Sequence, residues 1–249
     1  SLFNCPKIGI WMKLFGLNIS SNKLKKYRKT CWKPQVVDGD GELDASKYSG
    51  LPWLSADEDW PNCGNCQQPM QLFLQLNLDH LPDVIQNKFG SGLLQLFYCT
   101  NREKMCEDEC EAFFPFSRSV LVRVILPENR KPGIDLPALE DYFPEKQIVG
   151  WKAIDDYPHQ EELFELGEDV DDSDLEKKSV QKGDKLAGWP AWVQNVEYPK
   201  CPECGEKMQL VFQIDSEDNI PYMFGDSGCG HITQCPNHKN KVAFSWACY

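Results

Sequence analysis

The residue types best suited to chemistry are the twelve cysteines and four histidines. Two cysteine pairs have Cys-x-x-Cys spacing, Cys63–Cys66 and Cys201–Cys204, and each sits in a turn just before a β-patterned stretch. So tight a turn lets both thiolates face one tetrahedral ion, which predicts a zinc knuckle at each pair. In the second site Cys235-x-x-His238 supplies the other two ligands with standard spacing, and Cys229 is the rival ligand. In the first, Cys99 holds the place that Cys235 holds in the second, and the fourth ligand is Cys106 or, alternatively, Cys110. Four protein ligands close a site to water and substrate, so both zinc ions are expected to be structural. A redox pair would want its first thiol at a helix N-terminus, but β-patterned residues follow both pairs. Disulfides would require export, which nothing in the sequence supports.

Other candidate chemistry is weaker. Gly225-Asp226-Ser227-Gly228 has the local form of a serine nucleophile turn. A triad needs a base and a carboxylate placed around it, and the sequence reads better as a glycine-rich turn near the second zinc site. His80 and His159 stand alone in polar, proline-flanked stretches and read as surface residues. Trp53, Trp60, Trp189 and Trp192 could form a recognition surface, but at least half are expected to pack as core around the knuckles. Asp169 to Asp174 lacks the turn glycine and distal glutamate of an EF-hand loop. There is no phosphate-cradling glycine motif and no basic-aromatic stripe for nucleic acid.

The knuckles belong to a stretch used twice. Lys47–Asn77 and Lys185–Asp215 align without a gap, sharing ten identities: lysine, glycine and proline, then a second proline, both cysteines, Met-Gln-Leu and a further glutamine. This predicts an internal duplication. After each pair an alternating run predicts a strand, with Met70, Leu72, Leu74 and Leu76 on one face and Met208, Leu210, Phe212 and Ile214 in the second copy. Further strands are predicted over Leu93–Cys99, Ser119–Leu126 and Val242–Cys248, and a short helix over Leu78–Lys88. The fold class is therefore α+β and β-rich. It divides into a basic N-terminal arm (1–34), a first repeat (35–127), an acidic connector (128–184) and a second repeat (185–249), with 35–249 packed as one unit.

Charge is unevenly distributed. Residues 1–37 carry eight basic side chains and no acidic one, so the rest of the chain holds 18 basic against 38 acidic groups. The arm is expected to be partly disordered; an organellar transit role is a weaker alternative, because it contains only Arg28 among arginines. Met12 could be the true start, with the residues before it foreign to the protein. Residues 155–176 hold eleven acids and no lysine or arginine, and read as a solvated helix or loop. So acidic a body repels nucleic-acid phosphate and favours basic partners. No apolar run approaches the roughly 18 residues of a membrane span.

The Gly-x-Pro turns with nearby tryptophans (Gly50-Leu51-Pro52-Trp53; Gly188-Trp189-Pro190-Ala191-Trp192), the Met-Gln-Leu runs, Leu94-Gln95-Leu96-Phe97-Tyr98-Cys99, Gly150-Trp151 and Phe224–Gly228 resemble the YwqG-like domain family, whose function is unknown. The resemblance covers roughly Lys47 to Cys248 and implies a duplicated α+β fold rich in β-structure. Many members lack the cysteines, so zinc would mark a subgroup. A more distant resemblance, through Gly-x-Pro-x-Trp, Cys-x-x-Cys and the later cysteines, is to programmed-cell-death-protein-two-like proteins, which chaperone a basic ribosomal protein. Here Ala187 stands where those proteins have the first of two glycines. The expectation is a cytoplasmic, non-enzymatic protein-interaction module, a chaperone or inhibitor of a basic client. A structural subunit of a larger assembly ranks next, and a hydrolase or redox enzyme last.

Overall fold

The computed structural model describes residues 24–170 and 178–249. Most of the basic arm, the Met12 start and most of the Asp169–Asp174 stretch lie outside the described residues. Among the described residues ten strands follow in chain order: β1 (Lys29–Asp38), β2 (Lys47–Tyr48), β3 (Gln71–Asn77), β4 (Leu93–Tyr98), β5 (Val120–Ile125), β6 (Lys146–Asp156), β7 (Lys185–Leu186), β8 (Gln209–Asp215), β9 (Cys229–Gln234) and β10 (Val242–Ala247). Helix is scarce among the described residues: α1 is Cys106–Glu109 and α2 is Gln160–Glu165. The helix expected over Leu78–Lys88 is two 3-10 turns, Leu78–His80 and Asp83–Ile85, with Pro82 between them unable to donate an amide.

All strands join one antiparallel sheet in the order β10-β9-β8-β7-β1-β6-β2-β3-β4-β5. The edge strands β5 and β10 approach each other, so the sheet is a nearly closed barrel. Trp246 in β10 donates its amide to Phe113 O at 3.2 Å, just ahead of β5. The core runs through both halves, with Phe73, Leu94 and Tyr98 packed against Phe224, Phe244 and Trp246. Exchanging β1–β5 for β6–β10 and reversing the order reproduces the same sheet. The leading strand of each half lies beside the second strand of the other: β1 pairs with β7, and β6 with β2.

These pairings correct the boundaries drawn from sequence. The line between residues 34 and 35 cuts through β1, which pairs along its whole length with β6. The segment 128–184 is no mere connector, because it contains β6, at 11 residues the longest strand. Its alternating apolar residues are sparse, since several β6 side chains face solvent. The acidic run is not wholly solvated either. Asp156 is fully buried, and in α2 Glu162 accepts from Trp192 Nε1 at 2.6 Å and Tyr198 Oη at 2.9 Å. The end of the arm also docks, for Leu24 packs against Tyr157 and Leu163.

All seven residues of β3 are buried, polar ones included, because a covering segment closes the face that alternation would leave to solvent. A buried amide must be satisfied. Gln75 donates to Leu43 O and Ala45 O at 2.7 and 2.9 Å and accepts from Trp53 N at 2.9 Å. Gln213 does the same with Gln181 O, Gly183 O and Ala191 N. Both β3 and β8 are broken by a bulge at the same place, Leu72/Leu74 and Leu210/Phe212. The shared lysines are buried as well. Lys47 Nζ lies 2.7 Å from Asp40 Oδ1, and Lys185 Nζ 2.9 Å from Asp156 Oδ2. The shared glycines leave room for these carboxylates: at φ +79 and +81, a Cβ on Gly50 or Gly188 would lie 2.1 or 2.2 Å from Asp40 or Asp156 oxygen.

Candidate metal centres

Each knuckle is a small hairpin tied by the same bonds. Bridges Asn62–Pro69 and Lys200–Lys207 close the two loops. Cys63 N donates to Gln68 O and Cys201 N to Glu206 O, at 2.8 and 2.9 Å. Gln67 and Gly205 take the left-handed conformation that turns the chain after the second cysteine. Met70 N and Met208 N then bond back to Pro61 O and Pro199 O, both at 2.9 Å, which places the hairpin at the head of β3 or β8.

The remaining ligands come from the next strand. Cys99 follows β4, and Cys106 opens α1 after Met105 in the left-handed region. Cys235 follows β9, and His238 comes one short turn later, where its amide donates to Cys235 Sγ at 3.3 Å. The structure therefore brings together Cys63, Cys66, Cys99 and Cys106, and separately Cys201, Cys204, Cys235 and His238, with all ligand atoms of a group within 4.8 Å of one another. A tetrahedral ion with Zn–S near 2.3 Å sets its sulfurs about 3.8 Å apart. The observed Cys66–Cys99 and Cys204–Cys235 separations are 3.7 and 3.6 Å. His238 Nδ1 lies 3.8 Å from Cys201 Sγ and 3.7 Å from Cys235 Sγ, so Nδ1 would be the ligating nitrogen for an ion held there. Both groups could hold a metal ion through four protein ligands.

The alternatives fall outside the groups. Cys110 Sγ accepts from Arg118 Nε at 3.4 Å. Cys229 is buried 3.8 Å from His231 Nε2, and burial pushes its thiol well up. Ser227 is exposed in a turn closed by Gly228 N to Phe224 O at 2.8 Å, and none of the described histidines bonds its hydroxyl. His80 is exposed, and His159 caps α2 by accepting from Glu161 N. Trp189 and Trp192 are buried, donating to Tyr27 O and Glu162, while Trp60 donates to Met70 O beside the first metal group. Trp53 is half-buried.

One feature escaped sequence reasoning. Two adjoining cavities of about 410 and 590 Å³ share Thr100, Arg102, Pro221 and Tyr222, forming a groove between the first metal group and the 217–223 loop. Among the described residues five carboxylates line it, Glu107, Asp108 and Glu217 in one part and Glu140 and Asp141 in the other, against one cation, Arg102. Met105 and Met223 stand exposed at its rim, and Tyr98 and Tyr222 hydroxyls both donate to Glu107 Oε2. The Glu103–Glu111 run could have signalled it, but its facing wall is over a hundred residues away in sequence.

Residues 46–249 match the model of a family described as a domain of unknown function (DUF1963), and the chain belongs to that family. It is the YwqG-like family that the repeat motifs resemble. A stretch of 34 residues is 47% identical to an uncharacterized protein, YpfL, of Salmonella typhimurium, covering 14% of this chain and 8% of that relative. Among the described residues no helix is long and apolar enough to cross a membrane.

Proposed function

We propose that this protein is a non-catalytic protein-binding module, stiffened by two structural zinc ions, that holds a basic segment of a partner as its chaperone or inhibitor. The carboxylate-lined groove carries this reading. Among the described lining residues, five acids against one arginine favour lysine- and arginine-bearing chain, and the exposed methionines offer adaptable apolar contact beside them. Zinc is the ion of choice for thiolate-rich tetrahedral sites, and thiolate ligands call for a reducing compartment such as the cytoplasm. We further infer that the halves arose by duplication. The matched knuckles, bulges, buried Lys–Asp pairs and glutamine brackets support it.

The test is charge reversal in the groove, D108K/D141K/E217K. A synthetic peptide alternating lysine with leucine serves as probe, and its glutamate counterpart as control. The native protein is expected to bind the basic peptide, more weakly as salt rises, and the variant to lose that binding while keeping its metal. Equal binding of both peptides, or undiminished binding by the variant, would contradict the reading.

A further inference from the structure

The two metal groups differ in one ligand, Cys106 against His238, and in one knuckle residue that touches it. Asn65 and Glu203 hold the same place, the residue before the second cysteine, in the aligned stretches. Asn65 Nδ2 lies 3.4 Å from Cys106 Sγ, and Glu203 Oε1 lies 3.2 Å from His238 Nε2. From the same backbone position, each reaches the fourth ligand of its own group.

The polarity of each contact is fixed by a second neighbour. Arg118 has only donors, and its Nη2 lies 2.8 Å from Asn65 Oδ1. The Asn65 amide must therefore turn its N–H toward the sulfur, a donor facing a thiolate acceptor. On the other side Lys241 Nζ lies 3.4 Å from Glu203 Oε2. With His238 Nδ1 bound to an ion, its proton would sit on Nε2 and donate to Glu203, whose carboxylate can only accept. Such an outer contact sets tautomer and ring orientation and makes the imidazole a better ligand.

We propose that Asn65 and Glu203 are positioning residues that match each knuckle to its fourth ligand, a donor for cysteine and an acceptor for histidine. The proposal rests on the reading that both groups bind metal. A carboxylate at position 65 would set a like charge beside a thiolate. A cysteine at position 238 would meet the same conflict with Glu203.

The test is a double-mutant cycle at the second site, with H238C, E203N and H238C/E203N on the full chain. Each protein is titrated with cobalt(II), whose thiolate charge-transfer and ligand-field bands report ligand set and geometry, and zinc affinity is measured by chelator competition. In the native background E203N is expected to weaken zinc binding by about tenfold, the low end of outer-contact effects because Glu203 is half exposed. In the H238C background the same change is expected to strengthen binding by a similar factor and give a four-thiolate cobalt spectrum. N65D is expected to weaken the first site while leaving the second unchanged. An E203N effect of the same sign and size in both backgrounds would overturn the proposal with the metal reading intact. Failure of the unaltered protein to bind cobalt or zinc would overturn both.

Discussion

At the scale of single residues, the two metal groups are not equivalent. Cys63, Cys99 and Cys106 are buried, whereas Cys204 is exposed and His238 half-exposed. A chelator would reach an ion in the second group more easily, so limited treatment of metal-loaded protein is expected to remove one metal equivalent from Cys201, Cys204, Cys235 and His238 before the other is touched. Partial metal removal followed by differential alkylation of the cysteines checks this; labelling of Cys63 or Cys99 first would contradict it. The cysteine spacing makes both groups legible in the sequence, because a knuckle is local. Asn65 and Glu203 are not legible there as partners, since what each one touches is decided by a ligand at least 35 residues away along the chain.

The buried lysines follow the same rule. Lys47 and Lys185 stand out as repeated residues, but their aspartates come from different segments, Asp40 after β1 and Asp156 at the end of β6. Removing Lys185 as K185M leaves Asp156 fully buried with two backbone amides, Gln181 N and Trp189 N, as donors. A loss of about 3–5 kcal/mol is expected by urea unfolding, the usual cost of stranding a buried charge. K47M should cost less, because Asp40 remains partly exposed to water. Equal losses would contradict the account.

At the scale of elements, β9 carries a pH dependence. Burial pushes the His231 imidazole down to about 3, with Lys185 adding to the effect, and its ring packs 5.0 Å from that of Trp192. The native state thus holds His231 neutral while the unfolded chain binds a proton below its ordinary pKa of about 6.5. Its contribution is full above that pH and is lost as pH falls toward 3. Asp184 works in the opposite sense: burial and nearby Asp218 raise its carboxyl to about 7, so its contribution is lost as pH rises from about 4 to 7. Comparing H231Q with the unaltered protein isolates the histidine. The variant is expected to be less stable at pH 7 and to close the gap as pH falls to 4.5, by up to about 1.4 kcal/mol per pH unit. A gap independent of pH would contradict this.

Strands β3, β4, β5, β8 and β10 are legible in the sequence because alternating apolar residues run into them from turns. Strand β6 is not, because several of its side chains are exposed and its acidic end reads as solvated chain. Pairing with β1 and β2 makes it a strand. The covering segments that bury Gln75 and Gln213 leave no periodic mark in the sequence for a similar reason: their contacts are made by backbone carbonyls.

At the scale of the whole molecule, one barrel-like sheet ties both metal groups and the groove into a single body. The exchange of β1 and β6 between halves means that neither half completes its sheet alone. The first metal group forms part of the groove wall through Cys99 and Cys106, so on the proposed function loss of an ion there would disturb partner binding more than loss of one at the second group. The formal charge of -12 would add attraction at a distance for the basic partner proposed above, beyond the groove itself.

The most direct measurement is the native mass of the protein purified gently from its own host. The expected result is the chain with two zinc ions and a stoichiometric basic protein that dissociates as salt is raised. A protein without metal and with its knuckle cysteines paired as disulfides, or a metal-loaded chain that never carries a basic partner, would contradict the account.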